Sequence, residues 1–246
     1  MRLLIDIGNT NTSMVVLHKK RFVKRFFIHT SKKEVSVPSF KRLLGGHLSD
    51  IKKIVIVSVV PELLALMKKN LKRIAPNVPV LVVGEDVKVP MKNRYKNPKE
   101  VGQDRLVTSF AASNVCKFPV IAVDFGTALT MDFVNSKGEY EGGLIFPGLR
   151  LAMGTLTKET ALLPKVRLKT AKGIIGRNTR GSMNNGILFG YAAMCDGLIQ
   201  KFREKYGKGV KVVATGGDAE LVAKHSCCLK KIYPDLIFEG LQSLSG

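Results

Sequence analysis

The sequence predicts an α/β protein of two similar domains, related by an internal duplication and facing each other across a cleft. Three observations carry this reading. An apolar run ends in Asp-x-Gly twice, as DIGNTNTS from Asp6 and as DFGTALTM from Asp124. Asp6 and Asp124, Gly8 and Gly126, Thr12 and Thr130, Val16 and Val134, and Lys19 and Lys137 are all separated by the same 118 positions. The order of elements also restarts at Pro119, and 246 residues suffice for two domains of ordinary size, here 1–117 and 118–246.

Each element follows from local pattern. RLLIDIG reads as a buried strand closing on a Gly that permits a tight turn. SMVVLH and FVKRFFIH read as two more strands around a Lys-Lys-Arg turn, which gives a meander. Past Lys32 the pattern becomes helical, then yields the strand IKKIVIVSVV, a helix opened by Pro61 and the short strand VPVLVV. Proline suits a first helical position because its missing N–H would be unpaired there. KVPMKNRYKNPKE, rich in Pro, Asn and Lys, reads as a surface loop, and ordered loops of that length tend to be functional. A helix starting near Gly102 carries Leu106, Val107, Phe110 and Ala111 on its inner face. After Pro119 come the strand VIAVDFG and strands in TMDFV and GEYEGGLIF around a Ser-Lys-Gly turn, ended by FPG. A helical region over 149–162, a basic loop over 164–179 and a long helix from Ser182 follow. The strand VKVVATGG, a helix near Asp218 and the closing segment IYPDLIFEGLQSLS complete the chain.

Composition narrows the function classes. A hydrophobic share of 45% with 24% charged residues is that of a folded soluble protein. Leu3-Leu4-Ile5 is too short for the apolar region of a signal peptide and no apolar stretch nears a membrane-spanning length, so a cytoplasmic protein without membrane association is expected. The four cysteines, at 116, 195, 227 and 228, form no C-x-x-C pair and are expected reduced and mostly buried. His225-Ser226-Cys227-Cys228 gathers soft ligands, but with no second cluster it is not expected to hold structural zinc. A formal net charge of +21 draws polyanions. The basic residues are spread through HKKR at 18–21, KKNLKR at 68–73 and a series over 165–180, a pattern of solvated surface more than of a nucleic-acid groove.

The repeated strand end has a chemistry. A strand that stops at Asp-x-Gly and turns back presents backbone N–H groups and small hydroxyls, with no side chain in the way at Gly. Such a concavity suits phosphate oxygens. The neighbouring Asp repels an anion, so it suits a cation that bridges to the phosphates. One such turn would be an ordinary capped turn; its recurrence favours phosphate binding. ATGG at 214–217 is a weaker sign of the same kind, either attracting negative charge to a helix start or letting a base and ribose approach the backbone.

DIGNTNT (6–12), GQDRLV (102–107), DFGTALTMD (124–132), GGLIFPG (142–148), IGRNT (175–179) and ATGG (214–217), in this order and spacing, resemble the type III pantothenate kinases over nearly the whole chain. The resemblance implies the duplicated actin-like, ribonuclease H-like domains of the acetate and sugar kinase, heat-shock ATPase and actin superfamily. It implies transfer of the ATP γ-phosphate to the primary hydroxyl of pantothenate, giving 4'-phosphopantothenate, the first step of coenzyme A synthesis. Asp6, Ile7, Gly8, Asn9, Thr10, Asn11, Thr12 and Ser13 would line one phosphate site and Thr127 the other, with magnesium entering beside Asp6 and a monovalent cation, potassium or ammonium, held by Asp124. Asp104 matches the general base. Gly102, Gln103, Asp104 and Arg105 would bind pantothenate, Tyr95 would close over it, and Thr179 would reach in from the other subunit of a homodimer. The helical region after FPG and the long helix from Ser182 would be the dimer surfaces. Gln103, where Ala is common, and Leu129, where a small or hydroxylated residue is usual, depart from the pattern and bear on specificity.

The local chemistry of Asp104 agrees with that role. In a first helical turn the dipole and the N–H groups keep a carboxylate ionised. It is then a weak base, but phosphoryl transfer passes through a loose transition state in which positioning and charge neutralisation matter most. Two other readings stand beside this one. The chain would be a non-catalytic accessory factor in transcription, which +21 would suit, or a superfamily kinase or phosphatase acting on another small acid. The presence of Asp6, Asp104, Arg105 and Asp124 together favours catalysis.

Overall fold

β1 (Arg2–Ile7) is buried on both faces except towards Asp6, so it needs cover on both sides. In the computed structural model, which describes residues 1–246, it obtains that cover inside a five-stranded sheet of order β3-β2-β1-β4-β5. β1 is antiparallel to β2 (Asn11–His18), which turns back into β3 (Arg21–His29). On its other edge it runs parallel to β4 (Lys53–Ser58), which is parallel to β5 (Val80–Val82). Alternation sends Leu3, Ile5 and Ile7 to the face covered by Phe40 and Leu44 of α1 (Val37–Leu44) and by Leu63, Met67 and Leu71 of α2 (Pro61–Ile74). Leu4 points to the opposite face with Val15, Leu17, Val55 and Val57, under Val107 of α3 (Gln103–Cys116) and Phe238 and Leu241 of α7 (Leu236–Leu244).

The chain divides into two compact units, the first of Met1–Met91, Asn97–Ala111 and Leu236–Gly246, the second of Lys92–Lys96 and Ala112–Asp235. The closing segment, which the sequence reading includes in 118–246, becomes α7 and packs in the first unit's core. Its moderately apolar face has no match within its own neighbourhood in sequence and finds one on β1 and α3.

The second unit repeats four of the first unit's five strands, β5 having no counterpart. β6 (Val120–Phe125), β7 (Ala128–Val134), β8 (Tyr140–Pro147) and β9 (Lys211–Thr215) form a sheet of order β8-β7-β6-β9, with the same pairing senses as β3-β2-β1-β4. Ile121, Val123 and Phe125 pack with α4 (Leu149–Lys158), α5 (Thr179–Tyr206) and α6 (Ala219–Ala223). Even a register irregularity recurs, at Val16/Leu17 and at Phe133/Val134. That recurrence corrects the spacing of 118. Asp6 pairs with Ser13 and Asp124 with Thr130, so the counterpart of Thr130 is Ser13 and not Thr12. The turn between paired Ile7 and Thr12 is one residue longer than that between Phe125 and Leu129, and every match beyond it, Val16/Val134 and Lys19/Lys137 included, is out of register by one.

Helix ends differ from the expected ones for local reasons. α5 begins at Thr179, before Ser182, because the Asn178 side chain caps it by accepting from Gly181 N at 2.8 Å. α4 stops at Lys158, short of 162. All four cysteines are free thiols; Cys116 and Cys195 are buried, Cys228 is half-buried and Cys227 is exposed. Burial pushes the Cys195 thiol up to about 12.

Gly240 is what lets α7 seat, since a Cβ there would lie 2.7 Å from Val107 Cγ1 and 2.8 Å from Val107 O. Gly240→Val is expected to cost about 1–3 kcal/mol through overpacking. A thermal melt should show a lower Tm; an unchanged Tm would mean that α7 does not rest on this contact.

Candidate active site

In the first unit the Asp-x-Gly turn is braced from beneath. Gly8 N donates to Asn11 O at 3.1 Å, and Thr30 donates through its hydroxyl to Gly8 O at 2.8 Å and through its N–H to Thr10 O at 2.9 Å. Thr30 Oγ1 also lies 3.0 Å from Thr12 Oγ1. The inward polar groups are therefore satisfied internally, and Asn9, Thr10 and Asn11 stay exposed at the strand end. Ile7 and Thr12 are fully buried, backbone included, and support the turn from within. Asp6 is half-buried and, by alternation with Leu4, lies on the sheet face that α3 covers.

The same corner receives Asp104. Its Oδ1 accepts from Arg105 N at 2.8 Å and lies so close over Gly102 that a Cβ there would strike it. That Cβ position is also 3.6 Å from Val59 Cγ1, and Val59 N donates to Ile7 O at 3.1 Å. The short path from Ile7 through Val59 to Gly102 thus ties the start of α3 to the end of β1. Gln103, one of the two departures from the family pattern, has a structural partner: Gly84, at φ +94°, leaves room for it, and a Cβ at 84 would lie 2.8 Å from Gln103 Cδ.

In the second unit three loops gather around Asp124 at the end of β6. Gly216, at φ +92°, comes so near that a Cβ would lie 2.5 Å from Asp124 Oδ1 and 2.6 Å from Phe125 N. Gly126 N donates to Ala128 O at 3.2 Å, closing a turn on which Thr127 is exposed. Gly148 N donates to Thr127 O at 2.9 Å, and a side chain at 148 would strike the Gly126 and Thr127 carbonyls. FPG and ATGG are therefore glycine-bearing because backbone meets backbone around Asp124. The other departure, Leu129, is fully buried in the unit's core.

Sequence reasoning missed the pair beside this turn. Arg150 grips Asp218 in a fork, Nη2 to Oδ1 at 2.7 Å and Nε to Oδ2 at 3.1 Å, while the Asp218 side chain is only 4% exposed. It joins the start of α4 to the start of α6, next to Gly148 and Gly217. The only signal was the position of each residue just after a glycine motif.

Tyr95 lies in the second unit, away from the Asp124 turn. Arg94 N donates to Tyr140 O at 2.8 Å, and the Tyr95 ring sits over Gly142, where a Cβ would lie 3.0 Å from Cε2. Gly142 pairs with Phe133, further along β7 than the Thr130 that faces Asp124. Tyr140, whose ring centroid is 6.3 Å from that of Tyr95, donates its hydroxyl to buried Asp132 at 2.7 Å. Thr179 is the exposed first residue of α5. The structure thus joins Ile7 to Gly102 through Val59 in the first unit, and sets Thr127 on the turn that follows Asp124 in the second.

A sequence profile described as type III pantothenate kinase matches residues 2–201. The chain belongs to the type III pantothenate kinase family. A type III pantothenate kinase of Citrifermentans bemidjiense is 38% identical over 248 residues, covering 98% of this chain and 97% of the relative. Among solved structures, a Campylobacter jejuni protein assigned to the Baf family of transcriptional activators superposes with a TM-score of 0.55 at 19% identity, covering 98% of this chain and 96% of that one. The Acidaminococcus fermentans (R)-2-hydroxyglutaryl-CoA dehydratase component A gives 0.53 at 14% identity, over 99% and 95%. At such identities these likenesses speak for the fold alone, which is the duplicated actin-like one. No helix is long and apolar enough to cross a membrane.

Because Thr30 holds the underside of the first turn, Thr30→Val should leave the Gly8 carbonyl without its donor and loosen residues 8–11. Nucleotide affinity is expected to fall roughly tenfold, the equivalent of about 1.4 kcal/mol, by calorimetric titration. Unaltered affinity would separate this turn from nucleotide binding.

Proposed function

We propose that this protein is a working kinase that moves the γ-phosphate of ATP onto the primary hydroxyl of pantothenate, with Asp104 as the general base. The observation that carries the reading is family membership over nearly the full chain, with a carboxylate fixed over Gly102 in the corner where the first Asp-x-Gly turn ends. Residues 6–13 and Thr127 serve the phosphates through backbone N–H groups and hydroxyls. Asp6, beside the Ser13 hydroxyl, offers the hard oxygen donors that suit magnesium, which when bound neutralises phosphate charge. Asp124 Oδ1 and the Ala128 carbonyl oxygen, 3.6 and 3.4 Å from where a Cβ of Gly126 would stand, are the oxygen donors offered to a monovalent potassium or ammonium ion.

Asp104 aims the hydroxyl oxygen in line and accepts its proton late, which a weakly basic carboxylate can do when the transition state is loose. The forked donors of Arg105 match the pantothenate carboxylate, with Gly102 and Gln103 shaping the wall and Tyr95 closing over it. The active form is a homodimer of cytoplasmic location, in which Thr179 completes the site of the neighbouring subunit. In support, Gly186, Gly190, Ala193 and Gly197 run exposed along one side of α5, and no atom comes within 4 Å of a Cβ built at the three glycines, which leaves room for another helix. Ile174 and Ile175, 69% and 79% exposed, stand just before Thr179.

The test is a coupled assay with ATP and pantothenate. Turnover is expected to rise on adding potassium or ammonium. Asp104→Asn should keep nucleotide binding within a few-fold while kcat drops by roughly 10²–10⁴-fold; full turnover in that variant would remove the assignment.

A further inference from the structure

Away from the residues assigned to the kinase reaction, one cluster in the second unit brings metal-ligating atoms together. Asp196, on α5, faces the segment that follows α6 and organises it: Oδ1 accepts from Ser226 Oγ at 2.5 Å and from Cys228 N at 3.0 Å, and Oδ2 accepts from Cys227 N at 2.8 Å. Wrapped around one carboxylate in this way, two consecutive cysteines present their sulfurs to the same side, 3.8 Å apart, with Cys227 Sγ 3.1 Å from Asp196 Oδ2. All three ligand atoms lie within 4.8 Å of one another.

We propose that Asp196, Cys227 and Cys228 bind one thiophilic divalent cation of the zinc class. Tetrahedral Zn–S bonds of about 2.3 Å place two sulfurs about 3.8 Å apart, and a sulfur and a carboxylate oxygen about 3.6 Å apart. The sulfur pair already has that separation, and the Cys227 to Asp196 edge has only to open by roughly 0.5 Å as the thiol proton between them is replaced by the cation. Binding sends both thiol protons to solvent and leaves two thiolates and a carboxylate around a divalent ion, a net single negative charge. Arg203 Nη1, 3.6 Å from Cys228 Sγ, offsets it. Cys227 is exposed, so a water molecule can complete the tetrahedron.

His225 is excluded as the fourth ligand despite its place in the sequence. Its ring packs tilted against Phe189 with centroids 4.4 Å apart, and Phe189 lies seven positions before Asp196 on α5, about 10 Å along the helix.

The competing account is that Asp196 only anchors the turn at 226–228. To separate the two, the full chain is stripped of metal, kept reduced with a phosphine, and titrated with zinc against a chromophoric chelator. One equivalent is expected to bind, and cobalt in its place should give a near-ultraviolet thiolate-to-cobalt charge-transfer band. Cys227→Ala and Cys228→Ala, which keep the backbone donors to Asp196, should each weaken binding by at least roughly tenfold, as should Asp196→Asn. Zinc binding no tighter in the wild type than in the double cysteine variant, or a cobalt complex without that band, would overturn the proposal. Since turnover is not the readout, the outcome is independent of the kinase assignment.

Discussion

The antiparallel pairing that sets Asp6 opposite Ser13 and Asp124 opposite Thr130 is the constraint on which the rest of the molecule depends. In each unit it places a carboxylate near the last rung of a buried strand, immediately before the backbone leaves the sheet. The hydrogen-bonded ladder makes that position rigid, and the register admits no slip, since a shift of one residue would turn Asp6 and Asp124 towards the apolar faces now filled by Ile7 and Phe125.

Around those two carboxylates the chain comes closer to itself than side chains permit. Gly102 yields to the Asp104 carboxylate, Gly148 to the carbonyls of 126 and 127, and Gly216 to the backbone of Phe125. The first is local to the start of α3, and the other two join segments far apart in sequence. The motifs GQDR, FPG and ATGG are thus three solutions to one packing demand. A backbone with N–H groups near a strand end can be offered to a ligand only if neighbouring loops approach without Cβ atoms.

The charge balance sharpens what the few acids do. With 40 basic residues against 19 acidic ones, most cations have no acidic partner to spare and lie on the solvated surface. Several acids occupy structurally committed places instead. Asp218 is held by the fork of Arg150, Asp132 receives Tyr140 and Thr130, and Asp196 gathers the 226–228 segment. Burial pushes the Asp196 carboxyl up, yet the hydrogen bonds from Ser226, Cys227 and Cys228 together outweigh it and hold the group below its ordinary range.

By itself the sequence determined the strands, the duplication and the candidate phosphate turns. Alternation and apolar runs are local signals, and Asp-x-Gly at a strand end means the same thing wherever it occurs. Tertiary structure decided what depends on distant partners. It moved the correspondence from Thr12 to Ser13, because turn length shows only once strands are paired. It docked the final helix against β1 and α3, matched Gln103 to Gly84, and carried Tyr95 onto Gly142. It also brought Asp196 to two cysteines some thirty positions away. Composition and periodicity record the surroundings each residue prefers, but which neighbour supplies them is settled only when long-range packing closes, and that information is shared between segments rather than written in any one of them.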